Sequence, residues 1–209
     1  MDPVLVSLHE IGLVPVVKIN DSMDALPLAK ALIAGGLPCA EITFRTAAGA
    51  ESIRLMTQSC PEMLVGAGTV LTTTQVDEAV AAGAKFIVSP GFNPVVVDYC
   101  LSHDILMVPG ISDASGVEQC LMRGIEVVKF FPAEQAGGLP YIKALSGPYS
   151  NVRFMPTGGI SPDNLMSYLS CSSVFCCGGT WMVKEELIDN SRFDEVERLC
   201  CEAVKLMGR

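Results

Sequence analysis

Short apolar runs rich in β-branched residues alternate along this chain with longer stretches whose apolar positions recur at helical spacing. The runs predict strands over residues 12–19, 39–45, 64–70, 85–90, 106–109, 127–132, 153–157 and 173–178. The stretches between them predict helices over 22–34, 48–60, 73–82, 94–103, 115–123 and 162–170, among others. A short leading helix at 3–10 and a last outer helix at 194–206 complete the pattern. Asp21 or Ser22, and Ser161 with Pro162, read as helix starts, while Gly35, Gly83 and Gly124 read as stops.

Eight strands alternating with helices, in units of roughly 20–25 residues, predict a parallel α/β architecture. With no central interruption, a closed (β/α)8 TIM barrel with a short N-terminal helix is expected rather than an open doubly wound sheet. No linker or composition shift marks a second domain, so residues 1–209 are read as one domain. Glycine, proline and threonine gather where each strand meets its following loop, as in Gly66-Ala67-Gly68-Thr69, Pro156-Thr157-Gly158-Gly159 and Gly178-Gly179-Thr180. In a barrel of this kind that face assembles the active site.

Strand periodicity separates lumen from shell. In the second strand Cys39, Glu41, Thr43 and Arg45 share one face, and Ala40, Ile42 and Phe44 share the other. The apolar set suits the helices, which leaves Glu41, Thr43 and Arg45 for the lumen. In the sixth strand Lys129 lies in the run Val127-Val128-Lys129-Phe130-Phe131-Pro132. An ammonium there is disfavoured without a partner or a task. An apolar setting favours the neutral amine, which is a nucleophile towards carbonyl carbon. Lys18 ends the first strand on the face of Val14 and Val16. A buried structural pair of Glu41 with Lys129 or Arg45 is the alternative, although such pairs are costly relative to apolar packing.

Composition narrows the rest. The chain is half apolar and 18% charged, with a net charge of −9. That balance argues against nucleic acid as a partner. No apolar run reaches the ~18 residues of a membrane helix, and the first residues lack the basic stretch of a secretory signal, so a cytoplasmic protein is expected. Nine cysteines, two pairs of them adjacent, fit reduced core thiols better than disulfides or zinc ligands, and His9 and His103 are the sole histidines. No metal and no cofactor are expected. The other lysines, Lys30, Lys85, Lys143, Lys184 and Lys205, read as solvated surface groups. Glycine pairs after the last two strands suit an anion held by backbone N–H groups, either phosphate or carboxylate.

Taken together these segments resemble the 2-keto-3-deoxy-6-phosphogluconate / 4-hydroxy-2-oxoglutarate aldolase family. The resemblance runs through Ala40-Glu41-Ile42-Thr43-Phe44-Arg45, Val65-Gly66-Ala67-Gly68-Thr69-Val70, Val88-Ser89-Pro90-Gly91, Val128-Lys129-Phe130-Phe131-Pro132-Ala133-Glu134 and Pro156-Thr157-Gly158-Gly159-Ile160-Ser161. It implies a class I aldolase that cleaves 2-keto-4-hydroxy acids to pyruvate and an aldehyde without a metal. Lys129 matches the Schiff-base lysine and Glu41 the general acid/base. Arg45 and Thr69 match groups that hold the pyruvyl carboxylate, and Pro90 and Phe131 match the pocket wall. Thr157, Gly158, Gly159 and Gly179 match the region of the distal phosphate or carboxylate. Thr180 stands where many phosphate-using members have serine, and Lys18 where some have arginine. The family implies a homotrimer. A sugar-phosphate isomerase or epimerase on the same barrel, and a non-catalytic anion-binding protein, are the alternatives.

Overall fold

The computed structural model describes residues 2–208. Its strands are β1 (Leu13–Val17), β2 (Cys39–Thr43), β3 (Leu64–Gly68), β4 (Ile87–Val88), β5 (Met107–Val108), β6 (Gly110–Ile111), β7 (Val127–Phe130), β8 (Arg153–Pro156) and β9 (Cys177–Gly179). All ladders are parallel. They run in the order β5-β4-β3-β2-β1-β9 in one sheet and β6-β7-β8 in another. Two single bridges, Phe154 with Val174 and Thr157 with Gly178, lie between the β8 and β9 ends of these sheets. The result is a curled parallel sheet dressed with helices.

The expected strands are present but shorter, and prolines explain part of this. The fifth strand, expected over 106–109, pairs regularly only at β5, breaks at Pro109 and resumes past its expected end as β6; the Pro109 carbonyl accepts from the Lys129 backbone N–H at 2.9 Å. A proline offers no N–H to a ladder, so regular pairing stops there. The expected last strand, 173–178, pairs regularly only from Cys177 to Gly179. Three helical pieces were not anticipated: Gly138–Ser146, the 3₁₀ turn Trp181–Val183 and the short helix Glu185–Asp189. In the first of these Pro140 falls in the opening helical turn, where a missing N–H is harmless.

Two apolar layers follow the alternation along each strand. Val14, Cys39, Phe86, Val88, Val108, Val127, Met155, Phe175 and Cys176 form an inner cluster, joined by Leu8 from the first helix, Pro3–Ile11. Ala40, Ile42, Val128, Phe130 and Phe154 point the other way, into the layer beneath the outer helices. Helix Phe193–Leu206 buries Val196, Cys200 and Ala203 on one stripe. Gly35 lets it approach, since a Cβ at that position would lie 2.4 Å from the Cys200 Cβ.

The cysteines behave as core residues. All nine are free. Burial pushes the Cys100 thiol up to about 11 and the Cys120 thiol up to about 12, so both stay protonated and unreactive near neutrality. Among the described residues no helix is long and apolar enough to cross a membrane.

Candidate active site

The inner apolar cluster ends partway up the strands, and polar side chains take over above it. Glu41 follows Cys39 by two on β2, and Lys129 follows Val127 by two on β7, so each points inward one layer higher. There the Lys129 Nζ donates to Glu41 Oε1 at 3.0 Å. Glu41 is fully buried and Lys129 is 4% exposed. The second carboxylate oxygen, Oε2, is also buried and has no hydrogen-bond partner among the described residues. A buried acceptor left unpaired is costly, and in a pocket it is a place where a reacting proton can be received. The Phe131 ring sits 5.5 Å from Nζ and walls the amine on one side.

Strand β3 makes the room for this pair. Gly66 and Gly68 both face inward. A Cβ on Gly66 would lie 2.4 Å from the Phe86 ring, and one on Gly68 would lie 2.2 Å from Glu41 Oε1. In the sequence these glycines stand out only as strand-end punctuation; that both fall on the inward face of one strand is the signal for the space they leave. Gly68→Ala is therefore expected to push the Glu41 carboxylate off the amine. Turnover should fall about 10²-fold, the usual result of a 1 Å misplacement, with the fold retained, as steady-state kinetics and circular dichroism would register.

The other anticipated residues fall into groups around the mouth. Lys18, Arg45 and Thr180 line one cavity of about 280 Å³ with Val16, Thr43 and Lys184. Val16 pairs in register with Glu41, so this cavity opens next to the buried pair. Lys18 is engaged there in an ion pair with Glu185, a residue the sequence did not single out. The Thr43 hydroxyl is spent on the Val17 carbonyl at 2.8 Å. Pro90 and Phe131 line a second cavity of about 180 Å³ with Gly110 and Asp113. Thr69 directly follows Gly68 and adopts φ 56°, a left-handed conformation that a β-branched residue takes only under local constraint.

Thr157, Gly158, Gly159 and Gly179 cluster at the ends of β8 and β9. A Cβ on Gly178 would lie 2.4 Å from Thr157 Oγ1, so the two strand ends touch only because one is glycine. Gly158 and Gly159 have φ 96° and 81°, which side chains rarely adopt. Gly159 packs on Glu134, whose backbone N–H donates to the Gly158 carbonyl at 3.1 Å. The Glu134 carboxylate accepts from the buried Tyr168 hydroxyl, tying the loop after β7 to the helix after β8. Burial, reinforced by that carboxylate, pushes the Tyr168 phenol well above its ordinary range. Tyr168→Phe should lower stability by about 1–3 kcal/mol in urea unfolding, the usual worth of a bond to a charged acceptor. Among the described residues no three His, Cys, Asp or Glu side chains are grouped as metal ligands.

Fold and site together define a parallel α/β protein built around a buried lysine–carboxylate pair. Residues 4–199 match the family described as KDPG and KHG aldolase, and the chain belongs to that family, whose members are lyases. The 2-dehydro-3-deoxy-phosphogluconate aldolase of Treponema pallidum is 48% identical over 97% of this chain and 96% of its own length. The KHG/KDPG aldolase of Escherichia coli K12 is 42% identical over 92% and 90%. A KDPG aldolase from Legionella pneumophila, with pyruvate captured at low pH as a covalent carbinolamine intermediate, superposes with a TM-score of 0.93. It is 39% identical and the match covers 97% of this chain and 98% of that one.

Proposed function

We propose that this chain is a metal-independent class I aldolase. It cleaves 2-keto-4-hydroxy acids, 2-keto-3-deoxy-6-phosphogluconate and 4-hydroxy-2-oxoglutarate, to pyruvate plus glyceraldehyde 3-phosphate or glyoxylate. The observation that carries this reading is the contact of Lys129 Nζ with Glu41 Oε1 at 3.0 Å, both buried, with Oε2 unpartnered. A purely structural ion pair is already costly relative to apolar packing, and an unpaired carboxylate oxygen adds to that cost. Aldolase relatives over nearly the whole chain support the same reading.

In this mechanism the unprotonated Lys129 amine attacks the C2 ketone, and the carbinolamine loses water to give a protonated imine. That cation accepts the electron pair of the C3–C4 bond, so the aldehyde leaves and an enamine remains. Glu41 relays the protons: it supplies the one that departs with the carbinolamine oxygen, takes the C4 hydroxyl proton and returns one to C3. Hydrolysis of the pyruvyl imine frees Lys129. Because the imine is the electron sink, no metal is needed. Arg45 and Thr69 hold the carboxylate, Pro90 and Phe131 flank the reacting carbons, and Thr157, Gly158, Gly159, Gly179, Thr180 and Lys18 receive the distal group. The sheet is read as a closed eightfold barrel, supported by the β8–β9 bridges and by Pro109, which joins β5 to β6 and pairs with β7. Residues 1–209 then form one catalytic domain. A homotrimer and a cytoplasmic setting belong to the same proposal, the first resting on the family resemblance and the second on nine unpaired cysteines.

Borohydride reduction in the presence of pyruvate, followed by peptide mapping, tests the reading. A reduced pyruvyl adduct on Lys129 is expected. A folded, pyruvate-saturated protein that gives no adduct would favour the isomerase or anion-binding alternative, neither of which forms a covalent intermediate.

A further inference from the structure

Three cations, Lys18, Arg45 and Lys184, ring the 280 Å³ cavity, and one carboxylate, Glu185, faces them. That carboxylate pairs with the Lys18 ammonium and accepts from Asn20 Nδ2 at 2.8 Å. Asn20 is held in turn by Asp189 at 3.1 Å. The Lys18 ammonium, then Asn20, hold the Glu185 carboxyl below its ordinary range, and the Arg45 charge acts in the same direction. Arg45 itself makes no hydrogen bond or ion pair among the described residues. The chain thus presents at this mouth an uncommitted guanidinium, a second ammonium on exposed Lys184, and one ammonium, that of Lys18, already taken by its own carboxylate.

We infer that Glu185 is a specificity-determining residue that competes with the distal anionic group of the substrate for Lys18 and disfavours phosphate there. The inference rests on the aldolase reading above. A phosphate dianion reaching this rim has two options. It shares Lys18 with Glu185, at the cost of like-charge repulsion, or it displaces Glu185 and forfeits the existing pair. A neutral hydroxymethyl group meets neither penalty. Side-chain exposures of 27% for Lys18 and 40% for Glu185 leave the pair partly screened, so the effect is several-fold rather than decisive.

Glu185→Gln keeps the side-chain length and the Asn20 contact but removes the charge. Kinetics would be compared for 2-keto-3-deoxy-6-phosphogluconate and its unphosphorylated counterpart, two substrates that differ only in the phosphate. The KM for the phosphorylated substrate should fall about three- to fivefold with kcat unchanged, and the KM for the other should not move. The gain should shrink at about 0.5 M salt, where screening is strong. An unchanged or raised KM for the phosphorylated substrate overturns the inference. An equal fall for both substrates also overturns it, since the mouth would then merely have been widened. Wild-type protein that cleaves neither of these substrates nor 4-hydroxy-2-oxoglutarate would sink the aldolase reading instead. Calorimetric titration with inorganic phosphate needs no turnover and still decides Glu185: tighter binding by the variant supports the competitor role, and equal binding removes it.

Discussion

Lys129→Ala is expected to lose pyruvate-forming cleavage by more than about 10⁴-fold and to give no borohydride-trapped adduct. The loss should exceed what any single proton-transfer group supplies, because the variant lacks the atom to which the proposed mechanism joins the substrate. The substitution also leaves Glu41 buried without its partner, and breaking a buried pair in this way typically costs about 3–5 kcal/mol. Activity must therefore be read on protein whose folding is checked by circular dichroism at a temperature below the lowered midpoint. Added small amines offer a second readout. Partial rescue of cleavage by them in the Ala variant would show that the missing element is the amine and not the shape of the pocket. Wild-type turnover in folded Lys129→Ala protein would end the covalent mechanism.

Glu41→Gln should separate two roles that Lys129→Ala removes together. The amine remains, so a pyruvyl adduct should still form, though slowly. The amide cannot relay protons, so kcat should fall by about 10²–10⁴-fold, the range a positioned acid–base group contributes. Rapid-mixing measurement of adduct formation beside steady-state cleavage would distinguish this outcome from a displaced lysine, for which both rates would drop to the same level. Normal turnover in the Gln variant would move the proton relay to another group. The unpaired Oε2 of Glu41 would then need a structural explanation.

The parts of this molecule that were legible in the sequence are those where the pattern is broken by something expensive. A lysine between valines and phenylalanines, and a glutamate alternating with Cys39 and Thr43, stand out because burying charge needs compensation. Period-two alternation then fixed which way each points, and the inner and outer packing layers follow the same division. Less legible was anything settled by contacts between distant segments. Glu185 looks like an ordinary first-turn acid of a short helix, and only its position against Lys18, 167 residues away, gives it meaning. Glu134 and Tyr168 meet across 34 residues with no local trace. Helix Gly138–Ser146 was hidden because glycine and proline mark both loops and helix starts. Strand bounds were least legible around Pro109, where the ladder breaks at the proline and pairing resumes at Gly110–Ile111, past the expected end at 109.

The pairing of β1 with β9 has a temporal consequence. Leu13, Val14 and Pro15 align with Cys177, Gly178 and Gly179, and Lys18 reaches Glu185 beyond them. The first strand of this sheet in chain order therefore waits, one edge bare, for the last. Lys129 and Glu41 both precede that partner in the chain, so a nascent chain carries the proposed nucleophile and carboxylate without a finished mouth to admit a substrate selectively. Competence arrives at one moment, when residues 177–179 reach β1, rather than by increments. A chain interrupted before residue 177 should be inert and prone to capture by chaperones, its exposed strand edge offering itself to any other unpaired strand.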